Sequence, residues 1–110
     1  MKIPKAEQAI IEPQKITLYL LNIEHSRGGD KAALLKSFGY AIEDWKRLAD
    51  DLRLYHLTVD VTLVRETPYG RRYEVKAPLI TPSGRSLIVR SIWQIDIGAD
   101  QPRLITLFPD

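Results

Sequence analysis

Apolar residues in the first half of the chain recur at three- and four-residue intervals, the spacing of one face of an α-helix. The pattern predicts three helices, over residues 14–21, 30–38 and 41–55. The first of these is short and rich in β-forming residues, so a strand is the competing interpretation. The helix is favoured because a polar loop leads from it directly into the next helical pattern.

From residue 57 onward the apolar spacing changes to two, which is typical of strands with one buried face. Four strands are expected over residues 57–64, 71–79, 85–97 and 103–108, separated by short segments that contain proline or glycine. The third has apolar residues on both faces, which favours a central position. The order predicts an α+β fold, with two to three N-terminal helices packed on one face of a four-stranded antiparallel meander.

The 110 residues suit one domain. Residues 1–13 carry Pro4 and Pro13 and show little periodicity, so they are expected to form an extended arm with a short apolar contact through residues 9–11. Residues 14–110 are expected to form the single α+β domain.

Composition excludes several classes of site. The chain has no cysteine, so disulfides and thiolate metal sites are absent. No apolar run approaches the ~20 residues needed to span a bilayer, and the first residues lack the apolar core of a signal peptide. A cytoplasmic location is therefore expected. There is no Walker motif, Rossmann fingerprint, nucleophile elbow or convincing zinc set, so neither a cofactor nor a metal is expected.

The net charge of +2 does not by itself indicate a nucleic-acid partner. Its distribution is more informative, because basic residues gather in the second half of the chain and permit a local positive face. These residues are Arg65, Arg71, Arg72, Lys76, Arg85, Arg90 and Arg103.

The polar loop over residues 22–31 is the most informative stretch of the chain. Asp30 is expected to cap the following helix, whose first N–H groups favour an anion. The Gly-Gly pair would let the backbone approach a ligand closely or turn with positive φ. We expect His25, Arg27 and Lys31 to converge on a phosphate. A plain helix–helix connector with solvated charges is the alternative interpretation.

These residue types suit phosphodiester chemistry, which needs a general acid or base and cations around the developing charge. His25 would supply the titrating group and Thr106 a hydrogen-bond donor. The candidate cations are Lys31, Arg90 and Arg103, and the aromatic residues that could stack a base are Trp93, Tyr69 and Tyr73. Trp93 also fits a core position in its strand. His56 is interpreted as a structural residue at a helix C-terminus, where positive charge is favourable.

Several short motifs resemble a bacterial family of small domains of unknown function, whose usual signature is Tyr-Leu-Leu-Asn-x-x-His-x-x-Gly-x-x-Lys-Ala. In the first half they are Tyr19-Leu20-Leu21-Asn22, His25, Gly28 or Gly29, Lys31-Ala32 and Phe38-Gly39-Tyr40. In the second half they are Gly84, Val89, Trp93, Pro102-Arg103-Leu104-Ile105-Thr106 and Phe108-Pro109. The resemblance covers residues 15–109.

That family is similar in pattern to the barnase/EndoU/colicin/RelE-like ribonuclease superfamily. The resemblance implies a metal-independent endoribonuclease that acts as the toxin of a toxin–antitoxin or polymorphic toxin system, with RNA and a cognate antitoxin as partners. It implies four catalytic residues, His25, Lys31, Arg103 and Thr106. The residues expected to contact RNA are Arg27, Arg71, Arg72, Arg85, Arg90 and Trp93.

The alternative function is a non-catalytic protein-binding module, for example a partner or immunity-type protein. Such a module would use its sheet face or its last edge strand.

Overall fold

Three helices precede four strands in the computed structural model, which describes residues 1–110. The helices are α1 (Pro13–Lys15, continued by a π-helical turn over Ile16–Leu20), α2 (Gly29–Ser37) and α3 (Trp45–Tyr55), with 3-10 turns over Ala6–Gln8 and Ile42–Asp44. The strands are β1 (Leu63–Thr67), β2 (Gly70–Ile80), β3 (Ser86–Asp96) and β4 (Arg103–Pro109). The first element is thus helical, as favoured from the sequence.

The four strands form one antiparallel sheet in the order β1-β2-β3-β4. Each strand pairs with its neighbour in sequence because short turns leave room for no other partner. β3 is central, as expected, and pairs with β2 along its whole length. A bulge between Ile92 and Trp93 interrupts the pairing of β3 with β4, so Thr106 faces Ile92 while Arg103 faces Gln94. The predicted α+β meander is confirmed.

The core lies between the helices and one face of the sheet. Burial of each large apolar side chain contributes about 1.5–3 kcal/mol. The fully buried apolar residues include Ile16, Leu20, Leu21, Leu35, Leu48, Leu52, Val75, Leu79, Val89, Trp93 and Leu107.

The first strand was predicted over residues 57–64, and this prediction is wrong for most of that range, since β1 begins at Leu63. Leu57 is buried at the end of α3, where its N–H donates to the carbonyl of Leu52 at 3.1 Å. Val61 donates its N–H to the carbonyl of Met1 at 2.7 Å. Leu57 and Val61 thus bond to the end of α3 and to the N-terminal arm. The apolar alternation of this segment does not reflect pairing with a neighbouring strand.

The N-terminal arm lies beside β4. Ile10 donates its N–H to the carbonyl of Pro102 at 2.8 Å and accepts the N–H of Leu104 at 3.0 Å. Ala9 and Ile11 are buried on either side of this bridge. The arm therefore covers part of an edge strand that would otherwise expose unpaired backbone groups.

His56 is fully buried between α3 and the sheet. Its Nε2 lies 3.0 Å from the carbonyl of Ala77, and because a carbonyl only accepts, Nε2 carries the ring proton. Nδ1 then accepts from the Ser91 hydroxyl at 2.6 Å, and Ser91 Oγ accepts from Trp93 Nε1 at 2.8 Å. His56 is structural, as expected, but as a neutral ring rather than as a cation at a helix end.

The burial of His56 should make the fold sensitive to mild acid. Burial, opposed only by the hydrogen bond to Ala77, lowers the pKa of His56 from 6.5 to about 4. Below pH ~6.5 the unfolded chain binds a proton at His56 that the folded chain does not bind. The contribution of neutral His56 to the free energy of unfolding is therefore complete above pH ~6.5 and falls as the pH approaches ~4. We expect the free energy of unfolding to drop by about 2 kcal/mol between pH ~7.5 and pH ~5 in urea titrations.

The control for this prediction is His56→Gln, whose amide can hydrogen-bond but does not titrate. The carboxyl groups of Asp96 and Asp110 have lowered pKa values, so their protonation affects the stability of the fold only below the pH range of this test. An unchanged pH dependence in His56→Gln would contradict the assignment.

Candidate functional site

The loop between α1 and α2 is held in shape by the His25 side chain. Nδ1 of His25 accepts the backbone N–H groups of Arg27 and Gly28, each at 3.1 Å. The His25 carbonyl accepts the N–H of Gly29 at 3.0 Å. In the neutral ring, Nε2 therefore carries the proton, and His25 presents a hydrogen-bond donor rather than a free lone pair.

The start of α2 differs from the prediction at Asp30. The helix begins at Gly29 with Gly28 as the N-cap, and no side chain caps it. Asp30 lies in the first turn, where its charge still suits the helix dipole. The expected Asp30 cap is wrong, because α2 begins one residue earlier than predicted.

The glycine pair is required by close internal packing. A Cβ on Gly28 would lie 2.7 Å from Cε1 of Tyr19, and a Cβ on Gly29 would lie 2.5 Å from the carbonyl oxygen of Ile23. Neither glycine has positive φ. The pair lets the loop press against the Tyr19 ring and against its own backbone, so the turn with positive φ that the sequence suggested does not occur.

Three side chains from three different elements meet beside this loop. The Lys31 amine donates to the Tyr19 hydroxyl at 2.8 Å and to Thr106 Oγ1 at 3.0 Å, and these two oxygens lie 3.1 Å apart. We call this the Tyr19–Lys31–Thr106 cluster. It joins the π-helical turn, α2 and β4. Lys31 occupies the first turn of α2, where the helix dipole disfavours a cation, and the two hydroxyl groups supply compensating acceptors.

The cluster opens onto a surface cleft of about 470 Å³, which we call the His25 cleft. Its lining residues are Lys15, Tyr19, His25, Arg27, Ile105 and Thr106. The Tyr19 ring meets the His25 ring edge-on, with the centroids 4.8 Å apart. The three other clefts of the surface measure 340–430 Å³, so volume alone does not distinguish this one.

Charge distinguishes the His25 cleft from the others. None of Lys15, Arg27 and Lys31 makes an ion pair within 4.0 Å. No carboxylate lines the cleft, whereas each of the other three contains at least one aspartate or glutamate. The cleft is therefore a place where uncompensated positive charge would attract an anion.

The Tyr19 hydroxyl is acidified by its neighbours. Partial burial alone would raise the pKa of Tyr19, but hydrogen bonds from Lys31 and Thr106 and the charges of Lys31 and Lys15 outweigh it. The pKa of Tyr19 therefore lies below its ordinary value of 10.0. The cluster favours a phenolate more than a solvated tyrosine would.

The structure brings together three of the four predicted catalytic residues but not Arg103. His25 and Thr106 line the same cleft, and Lys31 bonds to Thr106. The Arg103 guanidinium instead pairs with the carboxylate of Asp96, through Nε at 2.7 Å and Nη2 at 3.2 Å. Arg103 lines a different cleft, with Asp96 and Asp100. We therefore leave Arg103 out of the candidate site.

Most of the arginines predicted to bind RNA are already engaged within the protein. Arg71 pairs with Glu66, Arg72 donates to Gln94, Arg85 donates to the carbonyl of Ser37 and stacks on Phe38, and Arg90 pairs with Glu74 and Asp110. Of the arginines predicted to bind RNA, only Arg27 lines the His25 cleft. The sheet arginines are thus largely neutralised or tethered, which the sequence could not reveal.

Trp93 is not available to stack an RNA base. Its side chain is completely buried, and its indole N–H is bonded to Ser91. The ring faces the helices because its position in β3 alternates with those on the open face. The prediction that Trp93 contacts RNA is therefore wrong, and its role is in the core.

Sequence reasoning missed the roles of Tyr19 and Lys15. The spacing of Tyr19 from Ile16 and Leu20 is that of one apolar helix face, which by itself favours a buried position. Tyr19 is only partly buried, and its hydroxyl reaches Lys31 and Thr106. The available signal was its place in the Tyr-Leu-Leu-Asn motif, six positions before His25.

No group of three or more histidine, cysteine, aspartate or glutamate side chains is arranged to hold a metal ion. None of the helices combines the length and the apolar character needed to cross a membrane.

The architecture is that of an α+β domain in which N-terminal helices and a meander sheet enclose one core and leave a positively charged cleft beside β4. The chain belongs to the family described as Domain of unknown function (DUF6883), which matches residues 2–110. This agrees with the expected membership of a family of small domains of unknown function.

The fold is shared with a solved structure. It is described as "Contact-dependent growth inhibition toxin - immunity protein complex from Klebsiella pneumoniae 342", and the likeness has a TM-score of 0.73 at 18% sequence identity over 96% of each chain. At this identity the likeness establishes a common fold. No curated protein is significantly similar in sequence to this chain.

Proposed function

We propose that this domain is a metal-independent endoribonuclease that acts as the toxin of a bacterial toxin–antitoxin or polymorphic toxin system. The observation that carries the proposal is the convergence of Lys31, Tyr19 and Thr106 within hydrogen-bond distance, at a cleft lined by cations and by no carboxylate. A phosphodiester is the anion that such a site suits, because cleavage builds negative charge on oxygens that fixed donors can stabilise.

Lys31 and four of the residues that line the cleft have roles in this reaction. Lys31 stabilises the charge that develops on the phosphate oxygens, and Thr106 positions the phosphate by a hydrogen bond. His25 donates from Nε2, because its Nδ1 is already occupied by the loop backbone. Lys15 and Arg27 attract flanking phosphates through salt-dependent contacts.

The shared fold is consistent with a toxin or an immunity role. A solved structure with this fold is described as a complex of a contact-dependent growth inhibition toxin and an immunity protein. We extend the toxin role to this chain because Lys15 and Arg27, which make no ion pair, line an open cleft that contains no carboxylate. A cognate antitoxin or immunity protein is the corresponding protein partner.

The test uses total bacterial RNA incubated with the purified chain in EDTA, together with growth during induced expression. We expect RNA cleavage that persists in EDTA, and growth arrest. His25→Asn should reduce cleavage by about 10²–10³-fold, the typical cost of one transition-state donor. The asparagine Oδ1 can still accept the loop N–H groups, as Oδ1 of Asn22 accepts the N–H of Glu24 at 3.0 Å, so the variant should stay folded.

Matched soluble expression of the intact chain and His25→Asn is the control for folding. Absence of both RNA cleavage and growth arrest with the intact chain would overturn the proposal in favour of the non-catalytic binding module.

A further inference from the structure

We infer that Tyr19, rather than His25, is the general base that accepts the proton of the attacking 2′-hydroxyl. The inference rests on the proposed ribonuclease activity and names the proton-transferring group within it. The geometry that points to Tyr19 is the position of its hydroxyl at the wall of the His25 cleft, 2.8 Å from the Lys31 amine and 3.1 Å from Thr106 Oγ1.

His25 lacks the free lone pair that a base requires. Its Nδ1 accepts two backbone N–H groups, and its Nε2 therefore carries the proton of the neutral ring. Acting as a base through Nδ1 would break both of the hydrogen bonds that hold the loop. Its edge-on contact with the Tyr19 ring places the imidazole beside the proposed base, where it can hold the phosphate.

Lys31, Lys15 and Thr106 favour the anion of the Tyr19 hydroxyl. Lys31 faces it from α2, with its amine 2.8 Å from the hydroxyl oxygen and 5.0 Å from the ring centroid. Lys15 lies over the same ring from its own helix, at 5.7 Å. The loop contributes His25 and Arg27, and β4 contributes the non-titrating Thr106. Burial raises the pKa of Tyr19, but the hydrogen bonds of Lys31 and Thr106 and the charges of Lys31 and Lys15 outweigh it and lower the pKa.

The step conserves atoms and charge. The 2′-hydroxyl proton moves to the Tyr19 phenolate oxygen while O2′ forms a bond to phosphorus. The bond from phosphorus to O5′ then breaks, and O5′ takes a proton from a water molecule. The resulting hydroxide removes the proton from Tyr19, which restores the phenolate. The products are a 2′,3′-cyclic phosphate and a 5′-hydroxyl end.

The first experiment is Tyr19→Phe assayed on total bacterial RNA at several RNA concentrations. Phenylalanine keeps the ring against His25 and removes only the hydroxyl. We expect the maximal rate to fall by about 10²–10⁴-fold, the usual contribution of a general base, with little change in the RNA concentration that gives half the maximal rate. The control is Tyr55→Phe, because Tyr55 is the last residue of α3 and is not among the residues that line the cleft.

The second experiment separates a base from a structural hydroxyl. Tyr19→3-fluorotyrosine keeps the hydroxyl but makes it more acidic, so the rise of the cleavage rate with pH should level off at a lower pH than in the intact chain. A hydroxyl that only orders the cluster would leave this pH profile unchanged.

Failure of this inference is distinguishable from failure of the proposed function. Cleavage by the intact chain, combined with a nearly intact rate in Tyr19→Phe or an unshifted profile in Tyr19→3-fluorotyrosine, would overturn the role of Tyr19 alone. Absence of cleavage by the intact chain would overturn both proposals.

Discussion

Lys31→Met is expected to reduce RNA cleavage by about 10²–10³-fold at an unchanged fold. Methionine has a similar length and helix propensity, so the change removes mainly the ammonium group. That group is the only donor shared by Tyr19 and Thr106, at 2.8 and 3.0 Å. Without it, the developing phosphate charge loses its nearest cation and Tyr19 loses the strongest support for its anion. The measurement is the initial rate on total bacterial RNA in EDTA.

Lys36→Met is the matched control, because Lys36 lies in the last turn of the same helix and is exposed. It should cleave RNA within about threefold of the intact chain, since a single exposed charge has a small screened effect. Equal losses in both variants would show that net charge rather than the cluster matters. In a Tyr19→Phe background, Lys31→Met should cost less than it does alone, because residues that act as a unit are not additive.

Trp93→Ala is expected to destabilise the fold by about 3–5 kcal/mol, the usual cost of removing a large aromatic from a core. Trp93 is completely buried, and its N–H is bonded to Ser91, which in turn donates to His56. The substitution would leave a large cavity and remove the donor that orders Ser91. Urea unfolding at neutral pH measures the change.

Two further substitutions make this prediction specific. Trp45→Ala should cost clearly less, because Trp45 is only partly buried at the start of α3. Trp93→Phe retains most of the ring volume and should keep RNA binding wherever the chain remains folded. Loss of RNA binding in a stably folded Trp93→Phe would contradict the core assignment and restore a direct contact with RNA.

The secondary structure was largely predictable because it depends on short-range periodicity. The apolar spacing located all three helices and the last three strands, and the turn residues located their connections. The error in the first strand has a specific physical cause. Residues 57–62 alternate as a strand does, but their backbone partners are the end of α3, the arm and one carbonyl of β2.

The candidate site was only partly predictable. The polar loop with His25, and its separation from the apolar pattern, marked the region from composition alone. The partners of each cation could not be read from the sequence, because they come from residues far apart in the chain. Arg103 and Lys31 have the same sign of charge, yet Arg103 pairs with Asp96 while Lys31 meets two hydroxyl groups.

Local patterns in the sequence are enough to predict the α+β class, the order of helices and strands, and the loop that carries the candidate site. These features follow from periodicity and turn residues, which act between neighbours in the chain. The convergence of Tyr19, Lys31 and Thr106 and the complete burial of Trp93 are visible only in the folded chain. Those outcomes depend on how α1, α2 and the bulged β4 pack together, and packing joins residues as far apart as Tyr19 and Thr106.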